Sequence, residues 1–280
     1  MQNLDHTALA RQHYENFPVA SFVLPADLRE PIALIYQFAR SADDFADEGQ
    51  YSQTERLALL NHYVNELDLI KAKGRSESAF FVAFAQMIDE RKLPLAPFYD
   101  LLDAFKQDVT TTHYADFDAV LAYCKRSANP IGTLLLHLFN HATAENLAYS
   151  GHICSALQLI NFYQDIAIDF DEQFHQRRVY LCQDEMQAFG ITETQIAAGD
   201  CHANWVRFMD FNLARAEAML QAGKPLGHAL PGRMGLEMRL IISAGEAIIR
   251  KLKAVNGDIY TKRPRIRVWD WPRIFLNALY

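Results

Sequence analysis

Acidic side chains recur one helical turn apart in the first part of this 280-residue chain. Asp43 and Asp47 are four residues apart, so on a helix their carboxylates share one face. Like charges at this spacing repel, and a cation held between them reverses the sign of that interaction. Mg²⁺ is commonly bound by one or two carboxylates together with phosphate oxygens. The pair therefore predicts a site for Mg²⁺ and a phosphorylated ligand, and the alternative is a solvated acidic helix end.

A second polar stripe follows in a segment that is otherwise rich in Leu, Ile, Phe and Ala. Gln158, Asn161, Asp165 and Asp169 recur at helical spacing, and at 100° per residue they fall within about 80° of one another. A polar stripe on an apolar helix is costly when it is buried without partners, so it marks a solvent face or a lined site. Two helices with matched carboxylates predict facing rims of one cavity, which suits Mg²⁺ ions that bridge a diphosphate.

Both segments resemble the aspartate motifs of the squalene/phytoene synthase family. Ala33–Arg40 followed by Asp43–Asp47 is similar to the first motif, and Gln158–Asp169 is similar to the second. Three further family blocks have counterparts in the expected order: Tyr123–Gly132, Arg178–Leu181 and Asp258–Arg263. Because the matches cover most of the chain in order, the resemblance is far more specific than either motif alone.

The resemblance implies an all-α isoprenoid synthase fold, a single domain over residues 1–280 with long helices around a central cavity. It also implies Mg²⁺-assisted departure of diphosphate from a prenyl chain. The metal ligands are expected to be the oxygen-bearing residues of the two stripes: Asp43, Asp47, Asn161, Asp165 and Asp169. The catalytic residues are expected to be the four aspartates of this set together with Tyr36.

Arginine suits a diphosphate because its planar guanidinium donates several hydrogen bonds to phosphate oxygens. Arg40 lies one turn before Asp43, and Arg263 closes the last matching block, so both are expected to contact the diphosphate. The resemblance extends the expected substrate-binding set to polar and aromatic residues: His13, Phe17, Tyr36, Tyr123, Gln158, Asn161, Gln164 and Tyr180. A water that ends the reaction is expected near Tyr36, Tyr163 or Gln164, and the sequence does not choose among them.

Two positions depart from the family pattern. Glu15 stands where the family usually has Lys, and Gln164 stands where it usually has Arg. Each missing cation is expected to weaken the binding of a second diphosphate group. Presqualene diphosphate carries only one such group, so its binding needs fewer cations. The stretch Glu15–Ser21 also resembles the bacterial hydroxysqualene synthase branch of the family. The expected reaction is therefore conversion of presqualene diphosphate and water to hydroxysqualene and diphosphate.

Two alternatives to hydroxysqualene synthesis fit the same motifs. The first is head-to-head condensation of two farnesyl diphosphates to presqualene diphosphate, squalene or dehydrosqualene. The second is a catalytically silent helical partner subunit, against which the intact carboxylate stripes argue. No glycine-rich nucleotide motif is present in the sequence, which favours water over hydride as the terminating nucleophile. For the favoured reaction, a presqualene diphosphate synthase is the expected functional partner.

Composition narrows the class of protein further. Lys and Arg number 27 against 34 Asp and Glu, and the net charge of −7 argues against a sequence-independent nucleic-acid binder. Only 12 glycines occur, which favours long helices over turn-rich sheets. The four cysteines lack the spacing of a metal or redox pair and indicate free thiols in a reducing, cytoplasmic compartment.

Membrane contact is expected at the surface and not across the bilayer. No stretch of 18 residues is predominantly apolar, so no spanning helix is expected. The segment from Lys262 to Arg273 mixes basic and aromatic side chains, which predicts a peripheral contact with the inner membrane face. The alternative is a docked tail with solvated arginines.

Apolar residues at helical spacing predict a chain of helices. The predicted ranges are 25–48, 54–71, 77–91, 97–109, 117–128, 131–144, 151–171, 193–199, 202–222, 233–253 and 271–279. No convincing strand alternation is present, and residues 223–235 are interpreted as a short linker.

Overall fold

Helices carry almost all of the regular structure, and the computed structural model describes residues 25–76, 78–170 and 178–279. In chain order the first helices are α1 (Ala26–Asp47), α2 (Gln53–Lys73), α3 (Ala79–Arg91), α4 (Ala96–Thr110), α5 (Phe117–Ser127), α6 (Asn129–Leu138) and α7 (Ala144–Asp169). The following helices are α8 (Gln183–Phe189), α9 (Glu193–Ala197), α10 (Ala203–Gly223), α11 (Leu226–Ala229), α12 (Gly232–Ala254) and α13 (Trp271–Leu279). A 3₁₀ turn, Val268–Asp270, directly precedes α13.

The chain divides into two compact units. The first contains Met1–Thr110 and Arg126–Leu147, and the second contains Thr111–Lys125 and Ala148–Tyr280. The aspartates of α1 therefore belong to the first unit and those of α7 to the second. The single domain expected from the sequence stays a prediction.

Helix α1 presents one face to the core of the first unit and keeps its acidic residues off that face. Phe38, Ala42 and Ala46 are completely buried, and Phe38 stacks on Phe84 with ring centroids 5.0 Å apart. Further rings complete this aromatic core around α1: Tyr63, Phe81 and Phe98. Close aromatic packing of this kind fixes the rotation of α1 about its own axis.

A proline inside α1 is compensated from another helix. Pro31 has no N–H, so the carbonyl of Asp27, four residues earlier, lacks its helical donor. Arg91 supplies the replacement, because its Nη2 donates to that carbonyl at 2.8 Å. The helix therefore continues through Pro31 to Asp47.

The second unit contains two short strands that the sequence pattern missed. β1 (His113–Tyr114) and β2 (Val179–Cys182) pair in parallel as a two-stranded sheet. The sequence contained no convincing strand alternation because segments of two and four residues are too short to show it. Three of the four residues of β2 are also buried, so its two faces do not differ in polarity.

Several predicted boundaries need correction. The predicted helix 131–144 ends at Leu138, and Asn140 has a positive φ of 57°. The next helix starts at Ala144 and not at Gly151, because the Thr143 hydroxyl accepts a hydrogen bond from the Asn146 N–H. The predicted linker 223–235 contains α11, and α8 was not predicted.

None of the helices within residues 25–76, 78–170 and 178–279 is both long enough and apolar enough to span a membrane.

Candidate active site

The four predicted site residues of α1 share one side of the helix. Tyr36, Arg40, Asp43 and Asp47 lie within about 60° of one another at 100° per residue. Each is partly exposed, whereas Phe38 and the other core residues of α1 are buried. The predicted site residues of the first unit are therefore presented together, away from its aromatic core.

Arg40 is surrounded by acidic side chains. Its guanidinium lies 3.2 Å from Asp43, 2.8 Å from Asp44 and 2.7 Å from Glu48, and its own side chain is only 20% exposed. One cation thus offsets the mutual repulsion of three carboxylates at the end of α1. The site attracts positive charge, which is the electrostatic property that a metal–diphosphate site requires.

The end of α1 is held by an arginine that the sequence reasoning missed. Arg56 donates to three backbone carbonyls: those of Phe45 at 3.0 Å, Glu48 at 3.0 Å and Gly49 at 2.9 Å. The last carbonyls of a helix have no partner within it and carry partial negative charge, so a guanidinium stabilises them. A basic residue closely following a predicted helix end was the available signal.

Helix α7 carries the second set of predicted residues. Gln158, Asn161 and Asp165 are partly exposed, while the apolar residues between them are buried: Leu159, Ile160 and Phe162. Asp169 is the last residue of α7. The pattern matches a polar stripe along an otherwise apolar helix.

Two consecutive residues of α7 hold the segment that contains Arg263. Asp165 forms an ion pair and a hydrogen bond with the Arg263 guanidinium. Gln164 is 2% exposed, and its Nε2 donates to the carbonyl of Pro264 at 2.8 Å. The Gln164 amide therefore positions the backbone next to Arg263, a role that the sequence did not suggest.

Tyr123 and Tyr180 meet in an aromatic cluster of the second unit. The Tyr180 ring stacks on Phe162 with centroids 3.8 Å apart and lies 5.5 Å from Tyr123 and 5.7 Å from Tyr114. Arg178 donates to the Tyr180 hydroxyl at 3.0 Å. A cavity of about 10 Å³, room for one water, adjoins Phe162 and Tyr180. The cluster joins α5, α7 and β2, whose sequence positions are far apart.

The Tyr163 hydroxyl is part of a buried hydrogen-bond network. Its hydroxyl donates to Asn212 Oδ1 at 3.1 Å, and Arg215 donates to the same oxygen at 2.6 Å. Arg215 is in turn paired with Glu185 through both of its terminal nitrogens. Burial raises the pKa of the Tyr163 hydroxyl. Of the three groups proposed to position water, Tyr163 and Gln164 thus have structural partners in the core, and Tyr36 lies on the exposed stripe.

The structure groups the predicted residues within each unit. Tyr36, Arg40, Asp43 and Asp47 lie together on α1, and Asp165 of the α7 stripe contacts Arg263, while His13 and Phe17 fall outside the described residues. Among the described residues, no group of three or more His, Cys, Asp or Glu side chains is arranged to hold a metal ion. The role of these aspartates as metal ligands stays a prediction.

Comparison with known proteins agrees with the motifs. The family model described as squalene/phytoene synthase matches residues 10–270. The hydroxysqualene synthase of Sinorhizobium fredii (strain NBRC 101917 / NGR234) is 32% identical over 245 residues, covering 87% of this chain and 81% of the relative. The hydroxysqualene synthase of Rhodopseudomonas palustris (strain ATCC BAA-98 / CGA009) is 32% identical over 243 residues, covering 85% and 80%.

Solved structures show the same architecture. The squalene synthase HpnC from Alicyclobacillus acidocaldarius superposes with a TM-score of 0.81 at 31% identity, covering 90% of this chain and 92% of that one. A dehydrosqualene synthase superposes with a TM-score of 0.83 at 18% identity, covering 98% and 94%. These likenesses confirm the all-α isoprenoid synthase fold. The chain belongs to the squalene/phytoene synthase family.

Proposed function

We propose that this protein converts presqualene diphosphate and water to hydroxysqualene and diphosphate. The observation that carries the proposal is the aspartate stripe on α1 and on α7, each paired with an arginine expected at the diphosphate: Arg40 and Arg263. The chain is 32% identical to hydroxysqualene synthases over most of its length, which supports this reaction among those of the family.

The reaction begins with heterolysis of the bond between the carbinyl carbon and the diphosphate oxygen. The electron pair leaves with the diphosphate, the remaining cation rearranges, and water adds its oxygen and loses a proton. Cationic donors are needed where the negative charge develops. Arg40 and Arg263 provide planar guanidinium groups for this purpose, and both are partly buried, with side chains 20% and 34% exposed.

The donor set fits Mg²⁺. Every proposed ligand offers oxygen, the carboxylates of Asp43 and Asp165 are about one-third exposed, and both already attract a cation in the form of an arginine. The proposed ligands are the residues of the two stripes: Asp43, Asp47, Asn161, Asp165 and Asp169. When bound, Mg²⁺ supplies positive charge to the departing diphosphate.

We propose that the two arginines change partners when substrate binds. Arg40 and Arg263 contact the aspartates in this structure, and each would donate to diphosphate oxygens in the substrate complex, which would leave the carboxylates to hold Mg²⁺. This exchange would keep the paired carboxylates of each stripe in contact with a cation in both states. It also makes the arginines act on the anion only when substrate is present.

Charge counting favours a substrate with one diphosphate. Gln164 has no charge, and its amide is used to hold the Pro264 carbonyl. Each lost cation costs about 1.5–3 kcal/mol of charge-assisted binding. Two losses, at Glu15 and Gln164, reduce affinity for a second diphosphate by about 10²–10⁴-fold when they add.

The second candidate function is condensation of two farnesyl diphosphates. It is favoured by the likeness to the squalene synthase HpnC from Alicyclobacillus acidocaldarius, which is 31% identical. The third, a silent helical subunit, is disfavoured because α1 and α7 retain repulsive carboxylate stripes that a silent subunit does not need.

Parallel incubations of the full chain separate these functions. The protein is supplied with Mg²⁺ and either presqualene diphosphate or farnesyl diphosphate, and products are identified by mass spectrometry while released diphosphate is measured. The proposal predicts hydroxysqualene from presqualene diphosphate without a nicotinamide, and a kcat/KM at least 100-fold lower for farnesyl diphosphate. Efficient condensation, or squalene formed only with NADPH, supports the second candidate, and no diphosphate release supports the third.

A further inference from the structure

The segment Lys262–Leu279, here called the basic–aromatic segment, exposes an unusual amount of apolar surface. Val268 is 82% exposed, Trp269 68%, Leu276 59% and Leu279 66%. Phe275 adds a ring that is 47% exposed. Isolated exposed apolar residues are ordinary, but a contiguous set along one segment marks an interaction surface.

Helix α13 within this segment has two apolar sides. Ile274 and Ala278 are each 1% exposed and pack toward α12. At 100° per residue the second side is a separate arc of about 100° that faces solvent. Its members are Pro272, Phe275, Leu276 and Leu279. A helix needs one apolar side to dock on its own protein, so the second side is available to a partner.

The exposed surface is held firmly by the rest of the second unit. Arg239 donates to the Ala278 carbonyl at 2.7 Å, and Lys251 donates to the Arg265 carbonyl at 2.9 Å. Asp270 accepts from Lys251 at 2.5 Å and from the Arg267 N–H at 2.6 Å. These bonds fix the turn that carries Val268 and Trp269, so the exposed apolar side chains lie on an ordered part of the structure.

The charge of the segment is opposite to that of the chain. The segment contains five cations and one acidic residue, a net charge of +4, whereas the whole chain has −7. Four of the cations are exposed: Lys262, Arg265, Arg267 and Arg273. The acidic residue, Asp270, is 16% exposed and paired with Lys251, and Arg267 lies over the Trp269 ring at 5.1 Å.

We propose that the basic–aromatic segment docks the protein on the surface of a bilayer that contains anionic phospholipid. Exposed aliphatic side chains, an indole and flanking arginines are the combination that partitions into the headgroup region of a charged bilayer. The cations then meet lipid phosphates while Trp269 and the solvent-facing side of α13 enter the boundary with the acyl chains. A protein partner is disfavoured because interface cores are depleted of charge, and here cations surround the apolar residues.

The test measures partitioning of the full chain onto vesicles without substrate, so its outcome is independent of the proposed function. Vesicles of phosphatidylcholine are compared with vesicles in which phosphatidylglycerol replaces about one-third of the lipid. Co-sedimentation gives the partition coefficient, and tryptophan emission reports Trp269 and Trp271, the two tryptophans of the segment, since Trp205 is completely buried. The expected result is binding to the anionic vesicles with a blue shift in emission, both lost at high salt.

Two variants separate the apolar and charged contributions. Phe275→Ser/Leu276→Ser is expected to weaken partitioning at least tenfold, and its control, Leu69→Ser/Val82→Ser, changes two exposed apolar residues elsewhere. Substituting three exposed arginines with Gln is expected to weaken it about 100-fold. That variant changes Arg265, Arg267 and Arg273, and its control changes three exposed lysines: Lys71, Lys73 and Lys92. Thermal unfolding of each variant checks that it is folded.

Three results overturn the proposal. One is equal affinity for neutral and anionic vesicles, or none for either. Another is partitioning that the control variants reduce as much as the test variants. The third is a dimer in sedimentation velocity that Phe275→Ser/Leu276→Ser dissociates, because the surface then belongs to a second copy of the chain.

Discussion

Arg263 forms an ion pair with Asp165, although 98 residues separate them in the chain. The pair joins α7 to the basic–aromatic segment and has a counterpart in Arg40, which is paired with Asp43, Asp44 and Glu48. In each unit, an arginine expected to bind diphosphate thus forms an ion pair with an aspartate expected to bind metal. Sequence spacing alone predicted only the pairing of Arg40 with Asp43, because these two residues share a helix.

The first prediction concerns these arginines. Arg40→Ala and Arg263→Ala should each lower kcat/KM at least tenfold, about 1.4 kcal/mol or more, because each removes a donor to the leaving diphosphate. Steady-state kinetics with presqualene diphosphate measure the effect. Arg207→Ala, an exposed arginine on α10, is the control and should match the wild type. Unchanged kinetics in Arg40→Ala would remove Arg40 from the site.

The second prediction concerns the end of α1. Arg56→Ala should lower the free energy of unfolding by about 1–2 kcal/mol, because three backbone carbonyls lose a charged donor. The same variant should need more Mg²⁺ for half-maximal activity, since Asp47 sits in the turn that Arg56 holds. Urea unfolding and a Mg²⁺ titration provide the two measurements. Loss of stability without a change in Mg²⁺ dependence would make Arg56 purely structural.

The third prediction concerns Gln164. Gln164→Leu should cost about 1–3 kcal/mol of stability, because the buried Pro264 carbonyl loses its donor. Gln158→Leu makes the same change at a half-buried position of the same helix and should cost less. Equal losses in urea unfolding would show that the Gln164–Pro264 hydrogen bond contributes little.

The fourth prediction concerns alkaline stability. Burial raises the pKa of the Cys124 thiol to about 12, well above the value of about 8.5 for an unfolded thiol. Between these two pKa values the native thiol keeps a proton that the unfolded thiol has lost. The free energy of unfolding therefore falls as the pH rises through this window. The slope per group is at most about 1.4 kcal/mol per pH unit.

Cys124→Ala should flatten this decline, and urea unfolding at pH 8 and pH 10 measures it. Reactivity supplies a separate check, because burial also raises the pKa of the Cys182 thiol to about 12. At pH 8 a thiol reagent should modify the two partly exposed cysteines, Cys154 and Cys201, and reach Cys124 and Cys182 only after unfolding. Rapid modification of all four in the folded protein would contradict the assigned burial.

Local periodicity was sufficient to predict most of the helices. The end of α1 and both ends of α13 lie within one residue of their predicted positions, because apolar spacing and flanking Pro or Gly residues are local signals. The start of α7 was missed because its cap, Thr143, lies before a run without clear apolar periodicity. β1 and β2 were missed because pairing between distant segments has no local signature when strands are so short.

The candidate site likewise combines features that local sequence spacing predicts with features that depend on the tertiary fold. The stripe on α1 and the stripe on α7 follow from spacing, so both were predictable. The use of Gln164 on Pro264, 100 residues away, depends on the tertiary fold and was not predictable. The hydrogen bond from the Tyr163 hydroxyl to Asn212, 49 residues away, likewise depends on the tertiary fold.

The most direct test of the central claim is the origin of the oxygen in the product. The full chain is incubated with presqualene diphosphate and Mg²⁺ in H₂¹⁸O, without a nicotinamide, and the products are analysed by mass spectrometry. Cleavage at carbon followed by capture of water predicts hydroxysqualene with one ¹⁸O and diphosphate without added ¹⁸O. An alcohol that retains ¹⁶O together with ¹⁸O in the released diphosphate would show cleavage at phosphorus and contradict the account.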